Sequence, residues 1–147
     1  MSALLLMAAV AVAGCGGGGD STPTEGGGGL DLTYHRSGGV AATDRTLRIH
    51  PDGSASVAVR TSAAGPPIRA QFAISAAESG RLASALGESG FDSLEAKPPS
   101  GGCADCYVYE LSTPANSVRF DDVTEPAALA PVIRQLDTIV VLNTPSG

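Results

Sequence analysis

Eight of the fourteen residues from 16 to 29 are glycine, and this run decides where a fold can begin. Glycine loses more backbone freedom on ordering than any other residue, and the segment has no apolar side chain whose burial would offset the loss. With Asp20, Thr22, Pro23 and Glu25 among the glycines, it reads as a tether with a root-mean-square span of roughly 20 Å. Whatever folds must therefore start at about Leu30. The chain left after that point suffices for one small domain and not for two.

Ahead of the tether, Ala3 to Ala13 contains no polar residue. A membrane-spanning helix needs roughly 20 residues, so this shorter run fits a signal-peptide core. The residues that close it, Val12-Ala13-Gly14-Cys15, resemble the bacterial lipobox, in which small residues admit the peptidase and the cysteine thiol accepts diacylglycerol. No Lys or Arg precedes the apolar run, which leaves the α-amino group as its leading charge. These features divide the chain into a signal peptide at 1–14, a lipidated Cys15 with its tether through 29, a domain at 30–141 and a flexible tail at 142–147. The expected location is extracytoplasmic and lipid-anchored at the cell membrane.

Nine basic against fifteen acidic groups give a formal charge of -6. Nucleic acid is not an expected partner, because phosphate neutralisation needs clustered cations and Lys97 is the single lysine. The arginines are spread singly from Arg36 to Arg134, so no polybasic run assists the anchor.

Within the domain, Leu30 to Arg36 suits a first strand, followed by a loop from Ser37 to Thr43. Thr46 to His50 alternates, with Leu47 and Ile49 on one face, and Pro51-Asp52-Gly53-Ser54 turns it back into Val57 and Val59. Ile68, Phe72 and Ile74 keep an even spacing after Gly65-Pro66-Pro67. Ser75 and Glu78 have the spacing of a capping box, predicting a helix that Gly87 to Gly90 ends before Phe91 and Leu94. A proline- and glycine-rich loop follows. Tyr107 to Leu111 and Val118 to Phe120 form a second hairpin around Pro114-Ala115-Asn116. Leu129 to Val140 has helical spacing, with Pro131 suited to its first turn. The expected fold class is α+β: an antiparallel sheet of about four to five strands packed by one main helix and a C-terminal helix.

Cys103 and Cys106 are the compact cysteine pair, and in an exported chain they most simply form a disulfide. Closing so short a loop stabilises by about 2 kcal/mol at most, so its role is local. A redox-active pair would sit at a helix N-terminus, whereas this one precedes a strand. Zinc would require His35, His50 or Asp105 to converge from a distance, and the spacing does not ask for it. Adjacent Asp121 and Asp122 read as helix-start or turn residues acting with Thr124. No P-loop, dinucleotide fingerprint or nucleophile elbow is present, so neither a cofactor nor an enzymatic role is expected. Function should then reside in the exposed loops 37–44, 61–67 and 97–105. Ser37, Gly38, Gly39 and Val40 are the candidate partner-binding residues, with Val40 either a contact residue or a core residue.

Several stretches together resemble the emfourin family, bacterial protein inhibitors of protealysin-type, thermolysin-like metallopeptidases. They are Arg36-Ser37-Gly38-Gly39-Val40-Ala41, Arg45-Thr46-Leu47 leading to Pro51-Asp52-Gly53, and a Ser75-initiated helix ending near Gly90-Phe91. Tyr107-Val108-Tyr109, Val118-Arg119-Phe120-Asp121-Asp122 and the helix from Leu129 to Leu136 complete the likeness, which spans about residues 30–140. The resemblance implies a non-enzymatic inhibitor that fills the cleft of a secreted or surface metallopeptidase with loops at one end of its sheet. This chain departs from the family at Ala42, where glycine is usual, and in its Cys103–Cys106 insert and its tether. The alternative is a ligand-binding or structural cell-envelope lipoprotein without inhibitory action.

Overall fold

A computed structural model describes residues 29–95 and 97–145. The expected signal peptide, Cys15 and all of the tether except Gly29 lie outside the described residues, as do the last two residues of the tail.

Six strands form one sheet: β1 (Leu32–Gly38), β2 (Thr43–Ile49), β3 (Ser54–Arg60), β4 (Ile68–Ala73), β5 (Tyr107–Ser112) and β6 (Ser117–Asp121). Their order is β4-β3-β2-β1-β5-β6, and every neighbouring pair is antiparallel. The strand count exceeds the expected four to five because the weakly patterned β4 pairs with β3 along its whole length, from Ser54↔Ala73 to Val59↔Ile68. The first strand sits at the centre. It joins a local meander on one side to the β5–β6 hairpin on the other, and the latter pairing is the long-range event of the fold.

Period-two alternation sorts the strand residues onto two faces. Leu32, Tyr34, Leu47, Ile49, Val57, Val59, Tyr109, Leu111, Val118 and Phe120 all lie in the buried core. Two helices complete that core: α1 (Ala76–Glu88) contributes Leu82 and Leu86, and α2 (Ala130–Asn143) contributes Val132, Ile133, Leu136, Ile139 and Val140. Polar residues such as His35, Thr46, Arg48, Ser56 and Glu110 alternate onto the opposite, open face.

Local chemistry sets the helix ends. The Ser75 hydroxyl accepts the Glu78 backbone N–H at 3.2 Å, which is the forward half of the expected capping box. After Glu88, the Ser89 N–H reaches back to the Ala85 carbonyl, and Gly90 at φ 67° reverses the chain so that Phe91 enters the core. Pro131 stands in the first turn of α2, where its missing N–H costs no hydrogen bond. That helix runs to Asn143, two residues past the expected domain boundary at 141.

Candidate functional site

The order and direction of the strands bring the loops 39–42, 61–67 and 97–106 to the same end of the sheet. Gly38 pairs with both Thr43 and Tyr107, so the β1–β2 turn and the start of β5 are neighbours. The β3–β4 connection leaves from that end as well, since Arg60 pairs with Asp44 at the start of β2. The three segments singled out in the sequence as exposed thus stand at one end of the sheet.

The β1–β2 loop is tighter than its sequence suggests. Ser37 and Gly38 continue β1, and β2 already begins at Thr43, so the tip is the four residues 39–42, closed by Ala42 N–H donating to the Gly39 carbonyl at 3.0 Å. Gly38 (φ 107°) and Gly39 (φ 70°) are demanded by close approach. A Cβ on Gly38 would lie 2.6 Å from the Cys106 carbonyl oxygen, and one on Gly39 would lie 2.6 Å from the Tyr107 ring. Gly39 N–H also donates to that Cys106 carbonyl at 3.2 Å. Seated on β5 in this way, the turn holds Val40 outward at 88% exposure, which excludes its placement in the core.

Beneath the tip lies a polar network that sequence reasoning missed. The Arg36 guanidinium sits 3.8 Å from the Tyr107 ring centroid and pairs with the Asp137 carboxylate of α2 at 2.8 Å. The Tyr34 hydroxyl donates to the other oxygen of Asp137 at 2.9 Å. Tyr109, stacked on Phe120, donates its hydroxyl to Asp122, whose second oxygen accepts the Tyr107 backbone N–H. Burial, reinforced by Asp137, pushes the Tyr34 phenol far up; burial and the Asp122 hydrogen bond do the same to Tyr109. Burial would weaken the Arg36 charge, but Asp137 outweighs it and the guanidinium is held in its charged form. One signal was available: alternation places Arg36 on the same face as Leu32 and Tyr34, and a charge on a buried face requires a buried partner. Nothing in the sequence says that the partner is Asp137.

Asp121 and Asp122 point into different surroundings, in keeping with turn roles. Asp121 is buried and accepts from Val123 and Thr124 with one oxygen and from the Ser100 N–H and hydroxyl with the other. Those bonds, Ser100 first, hold its carboxyl well below the usual range. They also tie the 97–106 loop to the end of β6. Cys103 and Cys106 form a disulfide within that loop. His35 lies mid-strand on the open face, 3.1 Å from Asp44, and His50 is exposed before its turn; neither approaches the cysteine pair in the sheet register. Among the described residues, no group of three or more His, Cys, Asp or Glu side chains is placed to hold a metal.

The carboxylates of Asp121, Asp122 and Asp137 are already occupied by internal donors, while an apolar side chain is held outward on a braced turn. No known family's sequence profile matches the chain, and comparison with curated proteins yields no significant match.

Proposed function

We propose that this chain is an exported, lipid-tethered binding protein that presents its 39–42, 61–67 and 97–106 loops to a partner, the partner being a thermolysin-like metallopeptidase that it inhibits. The observation that carries this reading is Val40, 88% exposed on a turn whose backbone is locked against β5. Holding an apolar group in water on a rigid support reduces the ordering cost of binding and gives a buried contact its full effect in the complex. The emfourin resemblance supplies the class of target, and Ala42 is a departure from the family pattern. It adopts φ 48° at the position where that family usually carries glycine, the residue for which this conformation is least costly.

The test is incubation of residues 30–147 with a panel of thermolysin-like enzymes, beside the Val40→Asp variant. Inhibition by the wild type that Val40→Asp abolishes, with an unchanged melting temperature, is the expected outcome. Absence of inhibition at about micromolar protein sinks the inhibitor reading. Normal inhibition by a folded Val40→Asp variant moves the contact away from this turn. The anchor is tested separately: mass spectrometry of the mature protein should find a diacylglyceryl adduct on Cys15, and Cys15→Ser should be released from the membrane.

A further inference from the structure

The open face of the sheet is divided electrostatically. Across β2, β1, β5 and β6, Asp44, His35, Glu110 and Arg119 form a connected row: His35 lies 3.1 Å from Asp44 and 3.7 Å from Glu110, and Arg119 pairs with Glu110 at 2.8 Å. Across β2, β3 and β4 the pattern changes. Arg48, Arg60 and Arg69 line a groove of about 400 Å³, and none of the three makes an ion pair with another described residue. Asp44, the carboxylate on its rim, is engaged by His35.

Register explains how three arginines distant in sequence converge. Arg69 and Thr46 both pair with Ala58, Arg48 pairs with Ser56, and Arg60 pairs with Asp44. The small side chains of Ser56 and Ala58 form a low floor on β3. With strands about 4.8 Å apart and a rise of about 3.4 Å per residue, Arg48 and Arg60 lie about 7 Å to either side of Ala58 along the strands, and Arg69 lies beside it. The hydroxyls of Thr46 and Ser56 and the amide of Gln71 supply further donors along the groove. Gathering three like charges is unfavourable by itself, and the chain as a whole is acidic, so this concentration has no origin in bulk composition.

We propose that the groove binds a phosphate monoester group, with Arg48, Arg60 and Arg69 as its principal ligands. A dianion with three acceptor oxygens can take hydrogen bonds from all three planar guanidinium forks, whereas a carboxylate has one charge and two oxygens to share. The groove runs along the open sheet face and reaches the loop end at Arg60 and Pro67, but its argument rests on the three arginines and not on the inhibitor reading.

The full chain in detergent micelles provides the test, by following arginine Nε–H resonances during titration with glycerol 3-phosphate. Those of Arg48, Arg60 and Arg69 shift together with a Kd on the order of 1 mM, while that of Arg119 stays in place. Single Arg48→Gln, Arg60→Gln and Arg69→Gln variants each weaken binding about fivefold or more, and Ala58→Glu abolishes it. Arg119→Gln, on the same face but already paired with Glu110, leaves it unchanged. Vesicles containing phosphatidic acid distinguish the source: binding to them that the groove variants abolish assigns the phosphate to a lipid headgroup, and soluble binding alone assigns it to a free ester. No shift at about 10 mM ligand overturns the proposal, as does acetate binding equally well or Arg119→Gln weakening binding as much as Arg69→Gln.

Discussion

Arg36 and Arg119 each meet a carboxylate at 2.8 Å, yet one pair lies between the sheet and α2 and the other lies on the open face. The side chains of Arg36 and Asp137 are 16% and 28% exposed, against 60% and 45% for Arg119 and Glu110. Equal distances therefore do not mean equal consequences. Water screens the outer pair and competes for its hydrogen bonds, so its net contribution is small. The inner pair has exchanged most of its water for Tyr34, Tyr107 and each other, and either member left alone would be a charge with little solvent to replace its partner. The covered region fixes the end of the sheet on which the loops stand, while the open region can change its charges without disturbing the fold.

The sharpest way to break this comparison is Asp137→Ala. It strands the Arg36 guanidinium and the Tyr34 hydroxyl together, and should cost about 2 to 4 kcal/mol in urea unfolding. A loss below about 0.5 kcal/mol would place the inner pair in the same class as the outer one.

Next comes acid sensitivity through Asp121. Hydrogen bonds from Ser100 and Thr124 hold its folded pKa below the unfolded value. Its contribution is therefore present above the unfolded pKa of about 4 and is lost as pH falls toward the folded value. Unfolding midpoints measured from pH 6 downward should drop for the wild type, and the drop should be shallower in Asp121→Asn. Parallel curves would remove Asp121 from the account.

Ala42→Gly tests whether the braced end imposes backbone strain on the turn above it. Because Ala42 sits at φ 48°, glycine should stabilise the protein by about 0.5 to 1 kcal/mol despite its greater freedom when unfolded. Destabilisation would mean that the turn relaxes readily and is not held by β5. The smallest effect belongs to Arg119→Gln, at about 0.5 kcal/mol or less and diminished further by salt. A loss near that of Asp137→Ala would overturn the distinction from the other side.

Legibility in the sequence followed the range of the interaction. The β2–β3 hairpin was readable because its alternation and its Pro51-Asp52-Gly53 turn are set by neighbouring residues, and Gly53 takes φ 82° there. The start of α1 at Ser75 and its stop near Gly90 were readable for the same reason. The strand β4 was less distinct, since half of its face is only partly buried, and the tip of the β1–β2 turn was drawn too long. Gly38 and Gly39 looked like loop freedom, but they are required by the backbone and ring of a strand about 70 residues away.

By itself the sequence determined the α+β class, the caps and turns and the cysteine pair. All of these rest on backbone conformational preference or on the period with which side chains meet water, and both are local. Only the tertiary structure decided that β5 lies beside β1. That one pairing brings Cys106 under Gly39 and Tyr107 against Arg36, and it places the 97–106 loop beside the β1–β2 turn. The arginines at 48, 60 and 69 are solitary along the chain for a related reason: strand register, which no single segment carries, converts their spacing into proximity.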